Sequence, residues 1–135
     1  MFLNSVDDGQ VSGQDGKKAN WQGVFSLTKK RSQLVFVIEK GRLIKYKLTG
    51  ASDELTIKDE WIKTDSTKII KLAILNFGLQ PSPKTHPFSH GYHYRIIRDQ
   101  KNIFLAVNGL IEGKEAEIYF DPKTGQYMGR TEATN

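Results

Sequence analysis

The stretch Asp65-Ser66-Thr67-Lys68-Ile69-Ile70-Lys71-Leu72-Ala73-Ile74-Leu75-Asn76-Phe77-Gly78 decides the fold class, because it is the one segment with a helical period. Ile69, Ile70, Ala73, Ile74 and Phe77 fall on one apolar stripe, Leu72 and Leu75 widen it, and Lys68 and Lys71 face water. Asp65 or Ser66 can cap the start by accepting a hydrogen bond from an otherwise unpaired backbone N–H. Gly78 suits the position just past the end, and Pro81 forbids continuation. A lone helix this apolar needs a sheet to lie on, so Ala73 and Phe77 are expected to be buried against one.

Outward from the helix, the period changes to two. Upstream, Trp21, Gly23, Phe25 and Leu27 share a strand face. Leu34, Phe36 and Ile38 share the next, with Val35 and Val37 behind them, so that strand reads as central or covered. Ile44, Tyr46 and Leu48 alternate with Leu43, Lys45 and Lys47 in a half-exposed third strand. Leu55 and Ile57 mark a shorter fourth, with Trp61 and Ile62 as a cover. Downstream, strands are expected around Tyr92, Tyr94 and Ile96, from Ile103 to Ile111, through Ala116, Ile118 and Phe120, and at Tyr127 and Met128. The connections Glu39-Lys40-Gly41-Arg42, Asp99-Gln100-Lys101-Asn102, Glu112-Gly113-Lys114 and Asp121-Pro122-Lys123-Thr124-Gly125 are short, and short connections pair strands antiparallel. The expected architecture is α+β: a curved, mainly antiparallel sheet of about seven strands packed on one central helix, within a single domain over residues 21–130. Residues 1–20 are expected to form a flexible polar tether and residues 131–135 a loose tail.

Composition agrees with one globular domain: 135 residues, 38% hydrophobic and 26% charged. No apolar run approaches the roughly 18 residues that span a bilayer. The absence of cysteine excludes disulfide scaffolds, iron–sulfur clusters and thiol nucleophiles. The polar stretch over residues 4–20 resembles what remains between an export signal or lipid anchor and a folded domain. An ordinary frayed N-terminus is the alternative.

Few residues carry chemistry. The sequence has no phosphate-binding glycine loop, no nucleophile elbow and no H-E-x-x-H pair, and its carboxylate pairs sit in polar stretches where nothing raises a pKa. No catalytic residue and no cofactor are expected. His86, His90 and His93 are the weak candidates for a metal, since three imidazoles at this spacing suit zinc or copper. Pro87 keeps them off one helix face, and no acid lies between residues 81 and 98 to complete the set, so no metal is expected there. The stronger signal is charge. Nine basic residues between positions 17 and 47 oppose a single acid, Glu39, in a chain of net charge +5. Lys29, Lys30, Arg31, Lys40, Arg42, Lys45 and Lys47 are the anion-binding candidates, with lipid headgroups, wall polymers or nucleic acid as the attracted surfaces. The alternative role for these lysines is solubility and protection of a sheet edge. Trp21, Phe25, Phe36 and Tyr46 could complete a nucleic-acid platform, or simply pack a core.

The helix segment Lys68-Ile69-Ile70-Lys71-Leu72-Ala73-Ile74-Leu75, the hairpin over residues 92–110 and the ending Ile118-Tyr119-Phe120-Asp121-Pro122-Lys123-Thr124-Gly125-Gln126-Tyr127 follow one another in a definite order. In that order residues 65–129 are similar to a PepSY domain, whose helix precedes a strand hairpin and whose last strands flank D-x-x-T-G. The loop over residues 80–91 departs from the family pattern, and the strands over residues 21–57 lie outside it. The resemblance implies a bacterial, extracytoplasmic or surface-tethered module without catalysis, one that binds or inhibits proteases or other local partners; the basic charge adds an anionic component of the envelope as an alternative partner, and a monomer is expected. A cytosolic or phage nucleic-acid-binding protein is the alternative, and a small-ligand carrier or enzyme with a cavity between helix and sheet is the third.

Overall fold

The structure, a computed structural model, describes residues 2–6, 12–27, 32–50, 57–83, 90–99 and 102–133. The helix α1 spans Ser66–Phe77, and its caps are those the sequence calls for. The Asp65 side chain accepts a hydrogen bond from the Lys68 amide at 3.1 Å, and Gly78 turns left-handed at φ 65° to send its N–H back into the last turn. Around this helix run β1 (Phe2–Val6), β2 (Asn20–Leu27), β3 (Ser32–Glu39), β4 (Arg42–Gly50), β5 (His93–Arg98), β6 (Ile103–Ile111), β7 (Lys114–Phe120) and β8 (Tyr127–Glu132). They form one open antiparallel sheet in the order β4-β3-β2-β1-β5-β6-β7-β8. The class is α+β as expected, with eight strands rather than about seven.

The eighth strand corrects the reading of residues 1–20 as a tether. Phe2–Val6 lies in the middle of the sheet, antiparallel to both β2 and β5. Leu3 packs against the core, and the Ser5 hydroxyl accepts the Tyr94 amide at 2.8 Å. Two glycines in the loop before β2 are packing devices. Gly13 and Gly16 are buried at φ 80° and 84°, and a Cβ on Gly16 would stand 2.5 Å from the Thr67 amide nitrogen. The loop is thereby pressed onto the helix N-terminus, where Thr67 Oγ1 donates to the Asp15 carbonyl at 3.1 Å. The tail is corrected too: Thr131 and Glu132 belong to β8, and the Ala133 amide donates to Glu115. Of the expected fourth strand, Leu55 lies outside the described residues, while Ile57 is buried in the core without being in a strand.

Register assigns the faces. Leu3, Ile96, Leu105 and Phe120 stand in one cross-strand row, and Tyr94, Val107 and Ile118 in the next. This is the side on which α1 lies, through Ile69, Ile70 and Ala73. Phe77 is half-buried, packed against the core with its ring tilted on that of Tyr127 in β8 at 4.6 Å, whereas Leu75 is 82% exposed and lies outside the core. The tight turn after β7 is as expected: Asp121 Oδ1 accepts the amides of Lys123 and Thr124 at 2.7 and 3.0 Å, and Gly125 takes φ 76°.

Candidate functional site

The helix-side rows continue past β1 onto β2, β3 and β4, and the helix does not follow them. Trp21 pairs with Ile38, Gly23 with Phe36 and Phe25 with Leu34. Across the next boundary Phe36 pairs with Tyr46 and Leu34 with Leu48. A bulge between Val37 and Ile38 brings Leu43, not Ile44, opposite Ile38. Phe36 is buried, with the ring of Phe25 stacked on it at 4.8 Å. Further out, Leu43, Tyr46 and Leu48 are 57%, 67% and 55% exposed. Val35 behind them is exposed as well, so of the two alternatives for β3, central or covered, it is central, flanked by β2 and β4, and its reverse face is open at Val35.

Where the helix cover ends, an apolar cleft of about 300 Å³ opens at the N-terminal end of α1. Leu3, Trp21, Ile62, Ile96 and Leu105 line it, with Ser66 at the rim. The Trp21 indole is fixed by donating to the Lys18 carbonyl at 2.8 Å. This cleft is continuous in register with the bare half of the sheet, since Trp21 shares its row with Ile38 and Leu43.

The reverse face is polar. Arg95 reaches across the small side chain of Ala106 to Glu117 in a two-pronged pair, Nε to Oε2 at 2.7 Å and Nη2 to Oε1. Tyr119 Oη also donates to Glu117, at 2.7 Å. Glu117 is 6% exposed, and its carboxylate raises the already high pKa of Arg95. With three donors on it, this carboxylate clamps β5 to β7. A cleft of about 590 Å³ runs beside the clamp, lined by Asn4, His93, Asn108 and Thr131 among others. Within it Ser5 Oγ and His93 Nδ1 are 2.9 Å apart, but the same hydroxyl is held by the Tyr94 amide, so the pair ties β1 to β5.

His86 lies outside the described residues, His90 is buried beneath the Lys18 ammonium, which donates to its carbonyl at 3.4 Å, and His93 sits on β5. Among the described residues no three histidine or carboxylate side chains gather around a common point. Of the basic candidates, Lys29, Lys30 and Arg31 lie outside the described residues. Lys40 occupies the two-residue turn after β3 at φ 50°, and Arg42, Lys45 and Lys47 are exposed on β4. Lys45 and Lys47 pair with Val37 and Val35, on the reverse face. Lys18, counted with the basic segment, is buried and leaves that surface. The aromatic candidates Trp21, Phe25, Phe36 and Tyr46 all stand on the helix side. Aromatic and basic side chains thus occupy opposite faces of the same strands.

Comparison with known proteins returns no match: no family model, no curated protein and no solved structure is significantly similar to this chain. Among the described residues no helix is long and apolar enough to cross a membrane.

Proposed function

We propose that this chain is a non-catalytic protein-binding module whose docking surface is the helix-side face of β2–β4. The observation behind this reading is the exposure of Leu43, Tyr46 and Leu48 on the outermost strand of a sheet whose other half is covered by a helix. Contiguous exposed apolar side chains of this kind mark interaction surfaces. The cleft beside Trp21 offers a pocket at the inner end of the same surface, where one partner side chain can anchor. The order of helix, hairpin and D-x-x-T-G turn in residues 65–129, which resembles a PepSY domain in sequence pattern alone, fits a role of the same class outside the cytoplasm. The separation of aromatic from basic side chains favours a protein over a nucleic acid, because single-stranded nucleic acid needs both on one platform.

The test is site-specific photo-crosslinking of the full chain in its native cells. A photoreactive phenylalanine analogue at position 46 is expected to give a discrete protein adduct, lost when Leu43→Lys and Leu48→Lys are added. The analogue at position 71, on the water-facing side of α1, is expected to give none. Equal labelling from both positions, or none from position 46 in a chain with unchanged circular dichroism, rejects the reading.

A further inference from the structure

Resting on that reading, we propose that the partner is an extended acidic polypeptide segment, which adds to the sheet as a further strand alongside β4. β4 is nine residues long and closes one end of the sheet. One edge pairs with β3, and the other has no hydrogen-bonded partner among the described residues. Along such an edge every second residue aims its N–H and C=O outward. A lipid surface, a wall polymer or a nucleic acid has no matching row of donors and acceptors, and an extended polypeptide does.

The side chains of β4 define the rest of the ligand. Leu43, Tyr46 and Leu48 stand on the helix side, while Lys45 and Lys47 stand on the reverse. Arg42 and the turn residue Lys40 extend the positive charge, and none of these four cations is in an ion pair among the described residues. A flat ligand lying on either face would meet only one of these two chemistries. A strand added at the edge meets both, because its successive side chains alternate between faces. Apolar residues would fall beside Tyr46 and Leu48, and acidic residues beside Lys45 and Lys47, as cross-strand neighbours of opposite charge. The lysines also bear on the second-copy alternative, since two β4 edges paired antiparallel would place lysines against lysines. Edge protection by itself accounts for the lysines. It does not account for four apolar side chains on the same strand, Leu43, Ile44, Tyr46 and Leu48, each more than half exposed.

The experiment titrates the full chain with a fluorescent, end-capped nine-residue peptide alternating Val and Glu, followed by anisotropy. Binding is expected at low salt and is expected to weaken as salt rises. Lys45→Glu with Lys47→Glu should reduce affinity by about tenfold or more, as loss of close charge pairs does at interfaces. Two further peptides carry N-methyl groups either on all valines or on all glutamates. Only one set of amides can face β4, so one methylated peptide should lose binding and the other keep it. Equal binding of both methylated peptides, equal binding of an alternating Val–Lys peptide, displacement by oligothymidylate, or a β4-paired dimer in sedimentation overturns the proposal. An adduct at position 46 without peptide binding removes strand addition and leaves the module reading in place. Absence of both removes both.

Discussion

Tyr94 stands on the helix side of β5, and its hydroxyl donates to the Gly13 carbonyl, joining the loop before β2 to the core. Burial raises its pKa well above the ordinary tyrosine value of 10.0, and the nearby Asp15 charge raises it further. The folded state therefore favours the protonated phenol. That contribution to stability is fully present below the unfolded pKa, near 10, and is lost as pH rises through the higher folded value. Tyr94→Phe removes one of two donors on the Gly13 carbonyl, which keeps the Gly16 amide at 2.9 Å, and should cost about 1 kcal/mol near neutral pH. It should also flatten the alkaline fall in stability, although Tyr92, raised by its own burial, retains part of it. Urea unfolding from about pH 8 to about pH 11 checks both points, and an unchanged alkaline slope would place the titration on another tyrosine.

The helix separates what a local pattern can tell from what it cannot. Ile69 is fully buried and Leu75 is 82% exposed, although both lie on the stripe read from the sequence. Ile69→Ala should cost about 2–5 kcal/mol, the range for truncating a buried aliphatic side chain. Leu75→Ala should stay within about 0.5 kcal/mol of the parent. Denaturant midpoints decide, and similar losses at the two sites would mean that the helix lies rotated on the sheet. The caps at Asp65 and Gly78, the Asp121 turn and the pairing of Leu34, Phe36 and Ile38 on one face were legible because each depends on neighbours along the chain. How far the sheet reaches beneath the helix depends on strand order, which is not local, so the stripe in the sequence extends to Leu75 while the core stops at a half-buried Phe77. β1 was missed for the same reason. Phe2-Leu3-Asn4-Ser5-Val6 is five residues with two polar side chains, and it becomes a strand only because β2 and β5 pair with it from either side. At the candidate site, the division between Tyr46 and the pair Lys45 and Lys47 followed from alternation alone. That β4 is an edge did not, because nothing within residues 42–50 states which strands lie beside them.

At the scale of the molecule, β1 is, among the described residues, the strand through which the two halves of the sheet are hydrogen-bonded to each other. On one side β5–β8 share a core with α1, and on the other β2–β4 have no α-helix over them among the described residues. Buried apolar contact is thus concentrated in one half, and local opening is least costly where such contact is sparse. Native-state hydrogen exchange should therefore find β3 and β4 opening at lower free energy than β6 and β7. The seam can be cut by Asn4→Pro, since proline in a strand paired on both sides removes a ladder hydrogen bond and clashes with the neighbouring strand. Asn4 pairs with Gln22 on one side and Arg95 on the other. The substitution should speed exchange across β2–β4 while the β6 and β7 amides retain most of their protection, because Ile69, Val107 and Ile118 still close the core beneath the helix. Uniform acceleration in every strand would show the sheet to be a single cooperative unit. Selective acceleration would show a helix-backed body that carries β2–β4 as a separately yielding arm, the arm on which the proposed partner strand adds.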